Sequence, residues 1–176
     1  LMPWVKPCAL EDGKVVVKEE EAFRVIPGDY VTTEDGTGIV HIAPTFGADD
    51  AKVAKDAGIP SLFIIDKAGD TRPMVDFTGK YFVKEDMNEE FASLCVQESY
   101  WKHSGDFVKN AYAPKYNQGG KYDEKAASKD MDLNVVLCLE MKEEGAAFKF
   151  ETHVHNYPAC WRTDKPVLFY PLVSLF

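Results

Sequence analysis

The period of the hydrophobic pattern changes along the chain, and this change constrains the fold more than any other feature. As far as residue 43, short β-branched runs such as 14–17 alternate with turn residues, which is typical of strands. Residues 30–33 and 38–43 flank an Asp-Gly turn and therefore predict a hairpin, which Pro44 ends. Beyond that proline the apolar spacing becomes helical. The sequence thus predicts both element types, in separate stretches.

Three stretches have the apolar spacing and the end signals of helices. They are residues 49–57 before Gly58, residues 84–103, and residues 132–144 before Gly145.

Further strand-like runs at 148–155 and 167–170 place strands at both ends of the sequence, with helices between them. This order predicts an α+β fold with a barrel-like, mostly antiparallel β core. A length of 176 residues fits one compact unit, so residues 1–176 are expected to form a single domain. The polar stretch 104–128 is expected to be a mobile surface insertion and the least ordered part of the chain.

The charge balance argues against a protein that grips nucleic acid over a wide surface. The chain has 20 basic and 29 acidic residues, a net charge of −9, whereas such binders neutralise phosphates with basic residues. One nucleotide end could still be held in a pocket. No apolar run approaches the ~20 residues of a membrane span, so no membrane partner is expected. Four scattered cysteines without a C-x-x-C pair predict reduced thiols and a cytoplasmic protein.

Residues 36–50 hold the densest group of side chains that could carry chemistry. The strand predicted at 38–43 would deliver His41 near its carboxyl end, and a loop then leads into a helix that begins with Asp49 and Asp50. This order predicts that His41 and Asp50 border one pocket. A structural alternative stays open, because acidic residues in a first turn also stabilise the helix dipole, and the histidine could be a rim residue.

A metal or nucleotide cofactor has little support in the sequence. His153 and His155 would share one face of a strand, with Cys160 and Asp164 nearby, but their spacing matches no common zinc pattern. The Gly-Thr-Gly of residues 36–38 lacks the third glycine of a dinucleotide fingerprint. We therefore expect no metal and no cofactor.

Two long motifs resemble one protein family. Residues 28–50, GDYVTTEDGTGIVHIAPTFGADD, are similar to the signature of the editing domain of isoleucyl-tRNA synthetase, a class I aminoacyl-tRNA synthetase. Residues 155–167, HNYPACWRTDKPV, resemble the stretch where that insertion returns to the catalytic domain. With the helical pattern between the motifs, the resemblance covers nearly the whole chain. Among the related valyl, leucyl and isoleucyl enzymes, His41 favours the isoleucyl one.

The chain departs from the family pattern in two places. Ile42 follows the histidine, where the family usually has Thr. The Thr-rich wall of the family's pocket, which precedes a Pro-Trp-Thr-Leu-Pro stretch, is not found; residues 2–4 keep only the Pro-Trp pair, so the wall is expected upstream of Leu1. HIGH-type and KMSKS-type motifs are also missing, so this stretch is not expected to bind ATP productively or to charge tRNA by itself.

The resemblance implies post-transfer editing, in which the ester joining valine to the terminal adenosine of tRNA(Ile) is hydrolysed. The implied partners are the 3′ end of tRNA(Ile) carrying valine and the remainder of the synthetase chain. The implied catalytic residues are Asp50, which would pair with the α-ammonium group, and His41, which would line the side-chain and ribose pocket and help to exclude isoleucine. Backbone groups of residues 43–47 would hold the adenosine or orient the carbonyl.

The substrate-binding residues implied by the resemblance are Thr37, Ala43, Pro44, Thr45, Phe46, Gly47 and Asp49. No general base is assigned, because either His41 or the substrate's own ribose hydroxyl could activate the water.

Two other classes of function remain open at the level of the sequence. One is a docking module that positions the tRNA end without hydrolysing it, which the missing Thr-rich wall favours. The other is a metal-dependent hydrolase that uses His41, Asp49 and Asp50 as ligands.

Overall fold

The chain forms two compact units, each assembled from separate stretches of sequence. A computed structural model describes residues 4–34, 37–151, 156–168 and 170. The first unit comprises Leu1–Met74, Val83–Lys102 and Tyr170–Phe176, and the second comprises Val75–Phe82 and His103–Phe169. Helices and antiparallel strands are both present, which confirms the predicted α+β class.

Four short strands of the first unit pair as two antiparallel hairpins. β1 (Cys8–Glu11) pairs with β2 (Lys14–Val17), with Cys8 opposite Val17 and Glu11 opposite Lys14. The intervening Asp-Gly pair suits a two-residue turn. β3 (Ile64–Ile65) pairs with β4 (Thr71–Arg72), with Ile64 opposite Arg72.

Two helices complete the regular structure of the first unit. α1 (Ala48–Asp56) follows Gly47 and has two aspartates in its first turn. α2 (Glu89–Cys95) follows Asn88, whose Oδ1 accepts a hydrogen bond from the Phe91 amide at 3.0 Å and so caps the helix. Shorter 3₁₀ turns lie at Glu19–Glu21, Lys84–Asp86 and Glu98–Lys102.

The core of the first unit gathers side chains from α2, β3 and the flanking turns. Phe91 and Cys95 are four residues apart, so they lie on one face of α2, and both are fully buried. The largest other buried side chains are Tyr100, Ile64, Ile65, Met87 and Val5. Aromatic rings extend this core, because Trp4 and Trp101 pack edge-on against the Tyr100 ring at centroid distances of 6.0 and 5.3 Å.

The second unit is built mainly from short helical turns. Three 3₁₀ turns, Asn110–Tyr112, Pro114–Tyr116 and Gln118–Gly120, precede the helices α3 (Glu124–Ala127) and α4 (Leu133–Glu143). Aspartate side chains cap both helices by accepting backbone hydrogen bonds near their first residues. Within the described ranges, no helix has the length and apolar character needed to cross a membrane.

The stretch 104–128 contributes a small buried cluster, and its expected mobility stays a prediction. Ala113, Tyr116 and Ala127 form a buried cluster, and Phe107 and Tyr122 pack against it. These aromatic rings supply the apolar area that the polar composition of the stretch concealed.

The helix predictions are confirmed in place, with changes in length. Residues 49–57 and 132–144 correspond to α1 and α4, whereas the helix predicted at 84–103 is reduced to α2 between two 3₁₀ turns. For each confirmed helix, the residues that determine where it begins and ends lie within a few positions of those ends.

The strand predictions around the candidate site are wrong. No strand forms at 30–33 or 38–43, and the strands of the described ranges make two hairpins instead of a barrel-like core. A strand requires a hydrogen-bonded partner. Among the described residues, none forms a strand pairing with residues 38–43. Ile39 and Val40 in this segment are 84% and 51% exposed. Residues 152–155 and Phe169 of the two later strand predictions lie outside the described residues.

Candidate functional site

The loop of residues 43–47 leads directly into α1 and is closed by its own backbone. The amides of Phe46 and Gly47 both donate to the Ala43 carbonyl at 3.1 Å. Thr45 anchors the loop to the segment before β3, because its Oγ1 donates to the Leu62 carbonyl at 2.6 Å. The loop is therefore a defined turn whose backbone position is set from both sides.

Asp50 ties this loop to the helix. Its half-buried carboxylate accepts, through Oδ2, a hydrogen bond from the Ala43 amide at 2.9 Å. Gly47, the residue that precedes α1, makes this approach possible, since a Cβ at that position would lie only 2.7 Å from Oδ2. No described lysine or arginine pairs with Asp50, and its second oxygen accepts no hydrogen bond from the described residues. The site thus contains a positioned carboxylate whose charge is not neutralised by a described cation.

Asp49 has a different environment from its neighbour. Its side chain is exposed and has no hydrogen-bond partner in the described part of the chain. Its place in the first turn of α1 fits the structural alternative, in which an acid stabilises the positive end of the helix dipole. Adjacent aspartates therefore offer a matched pair for experiment.

His41 lies in the irregular segment before the loop, and its side chain is exposed. Thr37, also exposed, accepts a 3.3 Å hydrogen bond on Oγ1 from the Ile39 amide and so stabilises a local turn. Pro44 is half-buried and Phe46 is 40% exposed. No described hydrogen bond joins His41 to Asp50, so a shared pocket for these two residues stays a prediction.

The structure therefore brings together part of the predicted set. Ala43, Gly47 and Asp50 meet directly, and Thr45 fixes their loop. The sequence pattern predicted that Asp50 lies at the start of the helix. It could not predict the hydrogen bond that the Ala43 amide donates to Asp50, or the need for glycine at position 47, because both depend on the conformation of the loop.

Among the described residues, the side chains that could bind a metal ion do not form a cluster. No three His, Cys, Asp or Glu side chains within the described ranges are arranged to hold an ion, and those ranges include His41, Asp49 and Asp50. His153 and His155 lie outside them, so the expectation that the protein binds no metal stays a prediction.

Hydrogen bonding with the Thr163 side chain, then with the Arg162 and Thr163 amides, lowers the pKa of the Cys160 thiol.

One buried polar cluster was not foreseen from the sequence. His103 is 4% exposed, and its Nε2 lies 2.9 Å from Glu140 Oε2 in α4 while its Nδ1 lies 3.4 Å from Asp106 Oδ2. His103 and Glu140 are 37 residues apart, so no local spacing could indicate their contact. This cluster joins α4 to the turn at residues 103–106.

Comparisons with known proteins find isoleucine–tRNA ligases among the relatives of this chain. The chain is 59% identical over 177 aligned residues to isoleucine–tRNA ligase of Bacteroides thetaiotaomicron, 54% to that of Bacteroides fragilis, and 49% to that of Porphyromonas gingivalis. Each alignment covers 100% of this chain but only 15%, 14% and 14% of the relative.

No family model and no solved structure matches the chain. The similarity to a family therefore rests on the sequence relatives. The chain spans about one seventh of their length. The resemblance seen in the two motifs is thereby confirmed: over its whole length the chain is similar to one segment of the isoleucyl-tRNA synthetase family.

Proposed function

We propose that residues 1–176 are the editing domain of an isoleucyl-tRNA synthetase and hydrolyse the ester of valyl-tRNA(Ile). The observation that carries this proposal is the Asp50 carboxylate, which the Ala43 amide positions while leaving its charge available for a substrate cation. Similarity along the whole chain to isoleucine–tRNA ligases supports the same reading.

The need for such a site is energetic. A pocket that fits isoleucine rejects valine poorly, because one methylene changes binding by only ~1–3 kcal/mol, a limit for which isoleucyl-tRNA synthetase is itself the standard example. A second site that admits valine and excludes isoleucine removes the wrong product after transfer.

The reaction requires a cation anchor, a size limit and a placed water. Asp50 pairs with the α-ammonium group, the full charge that every aminoacyl ester shares. His41 borders the side-chain and ribose pocket and excludes isoleucine, while backbone groups of residues 43–47 hold the adenosine, with Thr37 at the edge. Water attacks the ester carbonyl, the bond to the ribose oxygen breaks, and valine leaves as the free acid while the ribose hydroxyl takes up a proton.

The partners in this proposal are the 3′ end of valyl-tRNA(Ile) and the rest of the synthetase chain. Ile39 and Val40 are largely exposed beside the site, which supports a further wall supplied by another part of the enzyme. We place that enzyme in the cytoplasm, in keeping with free cysteines at positions 8, 95, 138 and 160.

A docking module is the second candidate, and the exposed His41 without a described bond to Asp50 favours it. A deacylation assay with the complete enzyme separates the candidates. Hydrolysis of valyl-tRNA(Ile) but not of isoleucyl-tRNA(Ile), unaffected by a chelator, supports editing by this site. Binding of both without hydrolysis supports docking, and loss of hydrolysis on chelation supports a metal-dependent hydrolase.

A further inference from the structure

Two of the four cysteines meet in the core of the first unit. Cys8 is the first residue of β1 and Cys95 is the last residue of α2. Their side chains form a hydrogen bond with each other, and they are 3% and 0% exposed. Two thiols in contact are the reactants from which a disulfide forms, whereas cysteines that point apart cannot be joined without movement of the backbone.

Backbone structure holds these two side chains, which we call the buried thiol pair, from both sides. The Lys6 amide donates to the Cys95 carbonyl at 2.8 Å, so the segment that leads into β1 is fixed to the end of α2. Cys8 is then held opposite Val17 in the β1–β2 hairpin. Main-chain hydrogen bonds therefore set the approach of the two sulfurs.

The two thiols differ in acidity. Cys8 donates the shared hydrogen bond to Cys95, and this bond together with burial raises the pKa of the Cys8 thiol. The same bond, with the positive charge of Lys6, lowers the pKa of the Cys95 thiol against the opposing effects of burial and Glu90. Because the thiolate is the reactive form of cysteine, Cys95 is the nucleophile of the pair and Cys8 is the proton donor.

The remaining cysteines lie in other surroundings. Cys138 and Cys160 belong to the second unit and are half-buried. Within the part of the chain that the structure describes, neither is paired with a second thiol. They therefore serve as internal references for any reaction that requires two sulfurs in contact.

We propose that the buried thiol pair is a reversible oxidation site, in which a hydroperoxide converts Cys8 and Cys95 into a disulfide. The new bond joins β1 covalently to the end of α2 and closes a loop of chain that includes residues 43–50 of the candidate site. In a cytoplasmic protein such a disulfide is transient and responds to the redox state of the compartment. None of the residues proposed for hydrolysis takes part in this chemistry.

The reaction consumes one hydroperoxide molecule in two steps. The Cys95 thiolate attacks a peroxide oxygen, the O–O bond breaks, and the departing hydroxide takes up the proton that Cys95 had released, which gives water and a Cys95 sulfenic acid. The Cys8 sulfur then attacks the Cys95 sulfur, so that the S–S bond forms as the S–O bond breaks. The second hydroxide takes the Cys8 proton and leaves as water. The two sulfurs lose two electrons, which reduce the peroxide.

Burial of the pair determines which oxidant can reach it. The β1–β2 hairpin lies at the surface, where Leu10 and Val17 are 41% and 37% exposed, so its local opening gives access to the sulfurs. Hydrogen peroxide is close to water in size and needs only a small opening. We therefore use hydrogen peroxide as the probe.

The test maps disulfides in the complete enzyme by mass spectrometry. Reduced enzyme is exposed to hydrogen peroxide, the remaining thiols are alkylated under denaturing conditions, and the protein is digested with trypsin. Cys8 lies in the peptide that ends at Lys14, and Cys95 is the single cysteine of peptide 85–102. The expected product is these two peptides joined with the loss of two hydrogen atoms, and dithiothreitol should separate them again. Cys138 and Cys160 should be recovered without a cross-link.

Three variants test the roles of the two sulfurs. Cys8→Ala should abolish the cross-link and leave Cys95 with added oxygen, because no second thiol resolves the sulfenic acid. Cys95→Ala should abolish the cross-link and leave Cys8 unoxidised. Cys138→Ala is the matched control and should form the cross-link like wild type.

The wild-type measurement decides the proposal even if a variant fails to fold. Separate, unlinked Cys8 and Cys95 after exposure to peroxide that fully oxidises free cysteine in a parallel sample would overturn it. Cross-links from either residue to Cys138 or Cys160 as frequent as the one between Cys8 and Cys95 would also overturn it, because they would indicate unselective oxidation of unfolded chains.

Discussion

Asp49 and Asp50 are consecutive residues with opposite surroundings, one exposed and one bound to the Ala43 amide. Asp50→Asn keeps an oxygen that can accept from that amide but removes the negative charge. In the complete enzyme we expect kcat/KM for valyl-tRNA deacylation to fall by about one to two decades, the effect of losing a charge-assisted hydrogen bond of ~1.5–3 kcal/mol. Isoleucine charging should be unchanged.

Asp49→Asn is the control for this prediction. It alters the same helix turn by the same chemistry and should leave deacylation intact. If both variants deacylate like wild type and lose stability to the same small extent, the two carboxylates serve the helix and the site assignment is wrong.

Gly47 and Asp50 should be energetically coupled. Gly47 has φ −112° and ψ 127°, which alanine adopts easily, so Gly47→Ala would otherwise stabilise the fold by ~0.4–1 kcal/mol. In wild type the new Cβ would displace the Asp50 carboxylate from Ala43 and cost ~1–3 kcal/mol. A double-mutant cycle with Asp50→Ala measures this: the cost of Gly47→Ala should shrink when the carboxylate is gone, whereas equal costs in both backgrounds would disprove the coupling.

The helices could be predicted from sequence, whereas the strands near the site could not. α1 and α4 begin and end at signals within a few residues, namely first-turn acids, a capping aspartate and terminal glycines. Residues 38–43 have the composition of a strand, but pairing depends on a partner that no local pattern specifies. The position of Asp50 was therefore predictable, and the contact between His103 and Glu140, which are 37 residues apart in sequence, was not.

The β3–β4 hairpin should be sensitive to acid through Asp66. Its carboxylate accepts 2.9 Å hydrogen bonds from the Ala68 and Asp70 amides and from Arg72 Nε. Burial raises the pKa of Asp66, but the hydrogen bonds outweigh burial and the pKa lies below its ordinary value of 3.8. Because folding then favours the ionised form, the hairpin's added stability is present above that ordinary value and is lost as pH falls through the folded pKa.

Amide exchange in the hairpin, corrected for its intrinsic pH dependence, measures this loss as the pH is lowered from about pH 5 to below the ordinary value of 3.8. Protection should decline more steeply in wild type than in Asp66→Asn. Asp56→Asn, an exposed position at the end of α1, should follow wild type. Identical profiles for all three proteins would mean that Asp66 does not control the hairpin.

The alternation of the two units along the chain has a consequence for evolution. The polypeptide leaves the first unit after residue 74, returns to it at residue 83, and leaves again after residue 102. A recombination event between residues 75 and 102 would therefore give both units sequence from two different parents at once. Neither unit can be exchanged by a single crossover, so lineages are expected to inherit this segment as one block, with Asp50 and the His103–Glu140 contact inherited together.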